Sequence, residues 1–183
     1  GTIVNQMVNY IGTMQGEFAG AQAFSSVDTF LAPFIKEDHL PQKEVDQAMQ
    51  SLIYGLNVPS RWGWQAPFSN LTFDITTPKD LKEKKAIVGG KELPYTYGDC
   101  QKEMDMLNLG FLKTMEHGDK SGRIFTFPIP TYNITKDFDW DSEVANKIFD
   151  VTGKYGIPYF QNYLGSNLDP GSIRAMCCRL NIN

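Results

Sequence analysis

Histidine and cysteine are scarce in this 183-residue chain, which has two histidines and three cysteines. His39 and His117 stand far from each other and from the cysteines, so the sequence lacks the ligand pairs of an intrinsic zinc site. Two scattered histidines also give few chances for a histidine base beside a nucleophile. An odd number of cysteines, with Cys177 next to Cys178, is a poor framework for disulfides and indicates a reducing compartment, the cytoplasm.

Excess positive charge and long apolar runs are also lacking. The net charge is −4, and no cluster of Lys and Arg is interleaved with aromatic residues, which excludes a nucleic-acid partner. Every apolar run is well below the ~20 residues that cross a bilayer. The hydrophobic fraction of 42% is enough for a core, and the length predicts one domain or part of a larger one. Residue 1 is Gly without a signal sequence, so we expect a start inside a longer protein.

Helical spacing of apolar residues dominates the first third of the chain. It predicts helices over Ile3–Met14, Phe18–Phe34 and Pro41–Pro59. Three polar residues could cap the second of these helices: Ser25, Ser26 and Asp28. We therefore expect a helical region over residues 1–58.

After Pro59 the pattern changes to alternating strands and helices. Strands are predicted at Phe68–Ile75, Arg123–Pro130 and Ile157–Tyr163, a hairpin at Ala86–Leu93, a polar loop at Thr76–Lys85, and helices at Met104–Met115 and Ser142–Val151. This alternation predicts α/β layers. We divide the chain, as a single partial domain, into the helical region, a strand and helix segment at 59–163, and a terminal loop at 164–183.

The adjacent thiols Cys177 and Cys178 are the most informative chemical feature. They could be small buried hydrophobes. They could instead supply a thiolate, with Arg174 or Arg179 lowering the thiol pKa. A third possibility is a thiyl radical, which needs no base and only a dry cavity. The scarcity of histidine is compatible with this third reading.

Five ordered blocks carry a family resemblance over nearly the whole chain. They are GAQAFSSVDTFLAPF at Gly20–Phe34, QAPFSNLTFD at Gln65–Asp74, FTFPIPTYN at Phe125–Asn133, YGIPYFQN at Tyr155–Asn162 and MCCRL at Met176–Leu180. In this order they resemble the large subunit of anaerobic (class III) ribonucleotide reductase. The resemblance implies part of a ten-stranded α/β barrel of a glycyl radical enzyme, which reduces ribonucleoside triphosphates to deoxyribonucleotides for DNA replication.

The same resemblance implies site residues. The family carries its thiyl radical on a cysteine at the tip of a finger loop, which corresponds to Cys178 here. Cys177 is then a possible accessory, since Gly can take its place, and Tyr155–Tyr163 is the strand that enters the finger. Cys100 matches no motif of the family and is expected to be a structural or exposed thiol. Arg179 could orient the loop or meet substrate phosphate, or be an ordinary surface arginine.

Other parts of the family's enzyme are not recognisable in this sequence. The glycyl radical motif, the zinc-binding cysteines, an upstream barrel cysteine and the ATP cone are all missing from it, so we assign no cofactor or metal to this segment and expect it to be inactive alone. The resemblance implies formate as reductant, a radical SAM activating enzyme, a homodimer and nucleotide effectors as partners. Residues Ile3–Phe34 resemble the region of the dimer contact and allosteric site, although their apolar residues suit a core equally well.

Two questions stay open at this point. A non-catalytic binding or assembly module with structural cysteines is the alternative function. Four asparagines at the ends of predicted strands, Asn70, Asn162, Asn181 and Asn183, could touch ribose hydroxyls or cap turns, and we do not assign them as sites.

Overall fold

The computed structural model describes residues 2–59 and 65–165, together with the backbone of 174–175 and 181–182. The α-helices are α1 (Thr2–Glu17), α2 (Val27–Glu37), α3 (Gln42–Asn57), α4 (Lys79–Lys82), α5 (Gln101–His117) and α6 (Glu143–Tyr155). The strands are β1 (Gln22–Phe24), β2 (Ser69–Phe73), β3 (Lys85–Val88), β4 (Lys91–Thr96), β5 (Ile129–Ile134), β6 (Tyr159–Asn162), β7 (Arg174–Ala175) and β8 (Asn181–Ile182). The predicted α/β class is confirmed.

A four-stranded sheet organises the described residues, with strand order β1-β2-β5-β6 and every pair parallel. Parallel neighbours require long crossovers, and helices fill each of them: α2 and α3 precede β2, α5 precedes β5, and α6 precedes β6. Strands β3 and β4 form a separate antiparallel hairpin, and β7 pairs with β8. Because the strands of the main sheet run in one direction, their carboxyl ends meet at one edge.

One face of the sheet is apolar and packs against helices. The Phe73 ring lies 4.7 Å from the Phe111 ring of α5 and is stacked on Tyr132 of β5 at 5.0 Å. All three side chains are fully buried. Each large buried side chain contributes roughly 1.5–3 kcal/mol relative to an exposed one. Residues from α1, α3, α5 and α6 complete this core, including Ile11, Leu52, Ile53, Leu56, Leu107, Leu112 and Ile148.

Several helix ends and turns follow from local chemistry. Helix α6 begins at Ser142, whose hydroxyl oxygen accepts a hydrogen bond from the Ala145 N–H at 3.1 Å. Helix α5 ends at Gly118, where φ is +69° and a Cβ would lie 2.4 Å from the Arg123 carbonyl oxygen, so only glycine fits. The hairpin turns at Gly89 and Gly90, both with positive φ, as predicted.

Two predicted elements need correction. Within the stretch Phe18–Phe34 the helix begins at Val27, directly after the cap candidate Ser26, but Gln22–Phe24 pairs with β2 as a strand that the helical spacing did not predict. The strand expected over Arg123–Pro130 lies instead at Ile129–Ile134. The segment before it is tied to the end of α3, where Asn57 bonds both the N–H and the carbonyl of Phe127.

The remaining predicted helices and strands match the structure within a few residues. The expected polar loop at Thr76–Lys85 contains the short helix α4, and the expected terminal loop at 164–183 contains the two-residue strands β7 and β8, which were not predicted. In the portion of the chain with described coordinates, no helix has the length and apolar character required to span a membrane.

Candidate functional site

The two cysteines of the predicted finger loop, Cys177 and Cys178, lie outside the described residues, and so does Arg179. The structure does describe the strand that leads toward them. Strand β6 is followed by Tyr163, whose N–H bonds the Ile134 carbonyl at 2.9 Å, and by a turn at Leu164. The chain therefore leaves the sheet at its carboxyl edge, on the way to the predicted finger.

A polar face lies opposite the apolar one. Side chains alternate along strands, and the register aligns Thr72 with Thr131 and places Asn133 beside Gln161. The polar face comprises Asn70, Thr72 and Asp74 from β2 and the position after it, Thr131 and Asn133 from β5, and Gln161 from β6. Parallel sheets buried on both faces are usually apolar on both. The polar second face departs from this pattern, and we therefore take it as the candidate site.

At the carboxyl end of β2 the polar face meets a fully buried carboxylate, Asp28 of α2. Its Oδ1 accepts hydrogen bonds from the N–H groups of Thr29 at 3.0 Å and Asp74 at 2.9 Å. Its Oδ2 accepts from the Ile75 N–H at 2.8 Å and from Nδ2 of Asn108 on α5 at 3.0 Å. Every partner is an N–H donor, so Asp28 joins α2, β2 and α5 as a charged acceptor.

Asp74 is the second buried carboxyl, and it has a different environment. The Thr29 hydroxyl donates to its Oδ2 at 2.7 Å, the Asn133 amide donates to its Oδ1 at 2.9 Å, and the Ser26 side chain also bonds to it. Burial and, to a smaller extent, the neighbouring Asp28 carboxylate together raise the pKa of Asp74 to about 7. Burial also raises the pKa of Asp28, which its N–H donors oppose.

This pair can hold a single proton near neutral pH, because two adjacent carboxylates in a buried site do not both ionise readily. The hydroxyl partners of Asp74 can accept as well as donate, whereas the partners of Asp28 can only donate. The proton therefore belongs on Asp74, and Asp28 stays ionised. The Asp28 and Asp74 pair therefore carries one negative charge at the carboxyl edge, next to Asn133.

Sequence reasoning missed this pair. Asp28 was predicted as a cap of the second helix, but it reaches instead to backbone 46 residues away at Asp74. A charged residue within the apolar run Phe73-Asp74-Ile75 was a usable signal of a buried role. Its partner was not identifiable, because nothing local relates the two positions.

The other candidates have structural surroundings. The Cys100 thiol is buried beside Ala32 and Met104, and burial raises its pKa to about 11, which agrees with a structural thiol and not with a reactive one. Asn70 donates to the Ile129 carbonyl at 2.7 Å and to Thr131 at 3.1 Å.

Asn162 accepts from the Leu164 N–H at 2.9 Å and so caps a turn. The side chain of Asn181, like Asn183 as a whole, lies outside the described residues. Over the ranges 2–59 and 65–165, no group of three His, Cys, Asp or Glu side chains could hold a metal ion.

Comparison with solved structures places this fold among anaerobic ribonucleotide reductases. The Thermotoga maritima enzyme in complex with dATP and CTP is 19% identical, with a TM-score of 0.62 over 92% of this chain and 29% of that one. The same enzyme with dATP bound in the specificity site is 18% identical, with a TM-score of 0.64 over 96% and 31%. A further anaerobic ribonucleotide reductase is 21% identical, with a TM-score of 0.57 over 82% and 25%.

The family assignment comes from the sequence. The family model described as anaerobic ribonucleoside-triphosphate reductase matches residues 1–183, and the chain belongs to this family. It spans about 30% of the length of the Thermotoga maritima structures. A search of curated proteins finds no significant match.

Proposed function

We propose that this chain is the part of an anaerobic ribonucleotide reductase that carries the radical-bearing cysteine. The enzyme is an oxidoreductase that converts ribonucleoside triphosphates to deoxyribonucleoside triphosphates. The observation that carries the proposal is the family match over the whole chain. The parallel sheet supports it, since its polar face and carboxyl edge border the strand from which the chain runs on toward Cys178.

In the proposed reaction the Cys178 thiyl radical takes the hydrogen atom from ribose C3′, which leaves a thiol and a carbon radical on the sugar. The 2′-hydroxyl then leaves as water. With formate as reductant the overall step balances: ribonucleotide, formate and one proton give deoxyribonucleotide, carbon dioxide and water. The described polar face would bind and orient the ribose and limit access of other reactants to the radical.

The finer expectations belong to the same proposal. The family's glycyl radical would generate the thiyl radical, and we assign neither that glycine nor the zinc site to residues of this chain. A radical SAM activating enzyme, a homodimer, allosteric nucleotide effectors and a cytoplasmic location follow from the proposed function. We expect the 183 residues alone to form no deoxynucleotide, even with an activating enzyme.

The test is substitution of each cysteine by serine in the complete, activated reductase. We expect Cys178→Ser to reduce deoxynucleotide formation to background while ribonucleotide binding persists. Cys177→Gly should retain activity, because the family accepts glycine there. Cys100→Ser is the matched control, since this buried thiol lies in a structural cluster. Full activity of Cys178→Ser would contradict the radical role and favour a non-catalytic module.

A further inference from the structure

The side-chain amide of Asn133 on β5 has a fixed orientation, but only one of its two polar atoms has a hydrogen-bond partner among the described residues. Its Nδ2 donates to Asp74 Oδ1 at 2.9 Å. Its Oδ1 is shielded from solvent and has no hydrogen-bond partner among the described residues. An unpaired buried carbonyl oxygen lowers stability by about 1–3 kcal/mol, so its presence in a native protein calls for a structural or functional explanation.

The contrast with Asn70 on the same face is informative. Asn70 donates to the Ile129 carbonyl and to Thr131, and its Oδ1 accepts from Thr72 at 3.4 Å. Asn70 is fully buried, whereas Asn133 is half-buried and lies nearer the carboxyl edge. Asn70 therefore holds the sheet together, while Asn133, near the carboxyl edge, keeps an acceptor with no partner among the described residues.

The orientation of the Asn133 amide is set by Asp74 and by the residues that hydrogen-bond to Asp74. Thr29 and Ser26 hold the Asp74 carboxyl, and the Asp74 N–H is bound to Asp28. Because one N–H of the Asn133 amide donates to Asp74, the amide is fixed in this orientation, and its Oδ1 can only accept. A ligand group that meets it must be a hydrogen-bond donor.

The charge of the carboxyl pair also limits which chemical group of a ligand can bind to Asn133. The buried carboxyl pair behind Asn133 disfavours a phosphate at this point, since a phosphate would add negative charge and offers acceptors to an acceptor. A neutral hydroxyl fits both conditions. We propose that Asn133 is a specificity-determining residue that accepts a hydrogen bond from a ribose hydroxyl of the substrate, with Asp74 as its positioning residue. This inference rests on the proposed function.

The experiment measures equilibrium binding to the complete reductase before activation, by titration calorimetry at saturating effector. CTP is compared with its 2′-deoxy and 3′-deoxy analogues. Asn133→Ala should weaken CTP binding about tenfold, the usual effect of one lost hydrogen bond. It should leave unchanged the affinity for the analogue that lacks the partner hydroxyl. Asp74→Ala should weaken CTP binding similarly, and Asp74→Asn should recover most of that loss because its carbonyl can still accept from Asn133.

Asn146→Ala is the control, since Asn146 is an exposed amide on α6 whose Nδ2 donates to the Asp141 carbonyl at 3.5 Å. An equal loss of affinity for all three nucleotides, or no loss for CTP, would overturn the inference. If Asn133→Ala does not fold, the affinities of the unaltered enzyme test the inference instead. Equal affinity of that enzyme for CTP and for both analogues would overturn the inference. Failure of the unaltered enzyme to bind CTP or to form deoxynucleotide would contradict the proposed function itself.

Discussion

Replacing Asp28 with asparagine tests the buried carboxyl pair most directly. Both Asp28 oxygens accept hydrogen bonds from N–H groups, those of Thr29 and Asp74 on one side and of Ile75 and Asn108 on the other. An asparagine in either orientation directs its NH₂ group at two of these donors. Two buried N–H groups then lose their acceptor, at about 1–3 kcal/mol each. We expect Asp28→Asn to lower the free energy of unfolding by about 3 kcal/mol.

The isosteric change at Asp74 is the informative comparison. An asparagine there keeps an acceptor for the Asn133 amide and can donate to the Thr29 hydroxyl oxygen, so every contact survives. We expect a change below about 1 kcal/mol near pH 4, where Asp74 carries its proton, and a variant more stable than the parent at neutral pH, because asparagine has no proton to lose.

Urea denaturation followed by circular dichroism measures both variants. Asp150→Asn on the exposed side of α6 is the control and should stay within about 0.5 kcal/mol of the parent. The reasoning is refuted if Asp28→Asn costs no more than Asp74→Asn.

Three further predictions concern the pH dependence of stability, a buried hydroxyl and a helix cap. The pKa of Asp74 is about 7 in the folded protein against an ordinary 3.8, so the folded state binds more protons between these values. Stability should therefore fall by about 1 kcal/mol per unit as pH rises through this range, with a shallower slope in Asp74→Asn when urea midpoints are compared. The fully buried Tyr132 hydroxyl has no partner among the described residues, so Tyr132→Phe should raise the free energy of unfolding by about 1 kcal/mol, and a decrease would contradict this. Ser142→Ala removes the cap of α6 and should cost about 1 kcal/mol in thermal unfolding, whereas Ser142→Asp should retain most of that stability.

Regular periodicity made much of the fold predictable. Helices α3 and α5 have continuous apolar stripes, and Pro59 and Gly118 follow shortly after their last residues. The Gly89-Gly90 turn requires positive φ, which glycine supplies. Strand β1 was missed because three residues carry too little alternation to outweigh flanking helical spacing. These errors arise where pairing between distant segments decides the local structure.

The site was less predictable than the fold. The hydrogen bonds from Asp74 to Asp28 and from Asn133 to Asp74 join residues 46 and 59 positions apart, and no local pattern encodes such partners. The family resemblance supplied Cys178, which stays a prediction because it lies outside the described residues. The proposed role of Asn133 comes from the structure, since the block FTFPIPTYN contains this residue but assigns it no role.

The strands of the main sheet stand side by side in the same sequence in which they occur along the chain. During synthesis each new strand of the sheet can therefore pair with a strand that has already been made. The sheet can extend from β1 toward β6 without passing the chain through a loop. An extra segment inserted in a crossover would lengthen a connection and disturb no pairing, whereas exchanging two strand–helix units would break the pairing of the exchanged strands with their neighbours. The architecture is thus tolerant of additions between units and intolerant of shuffling.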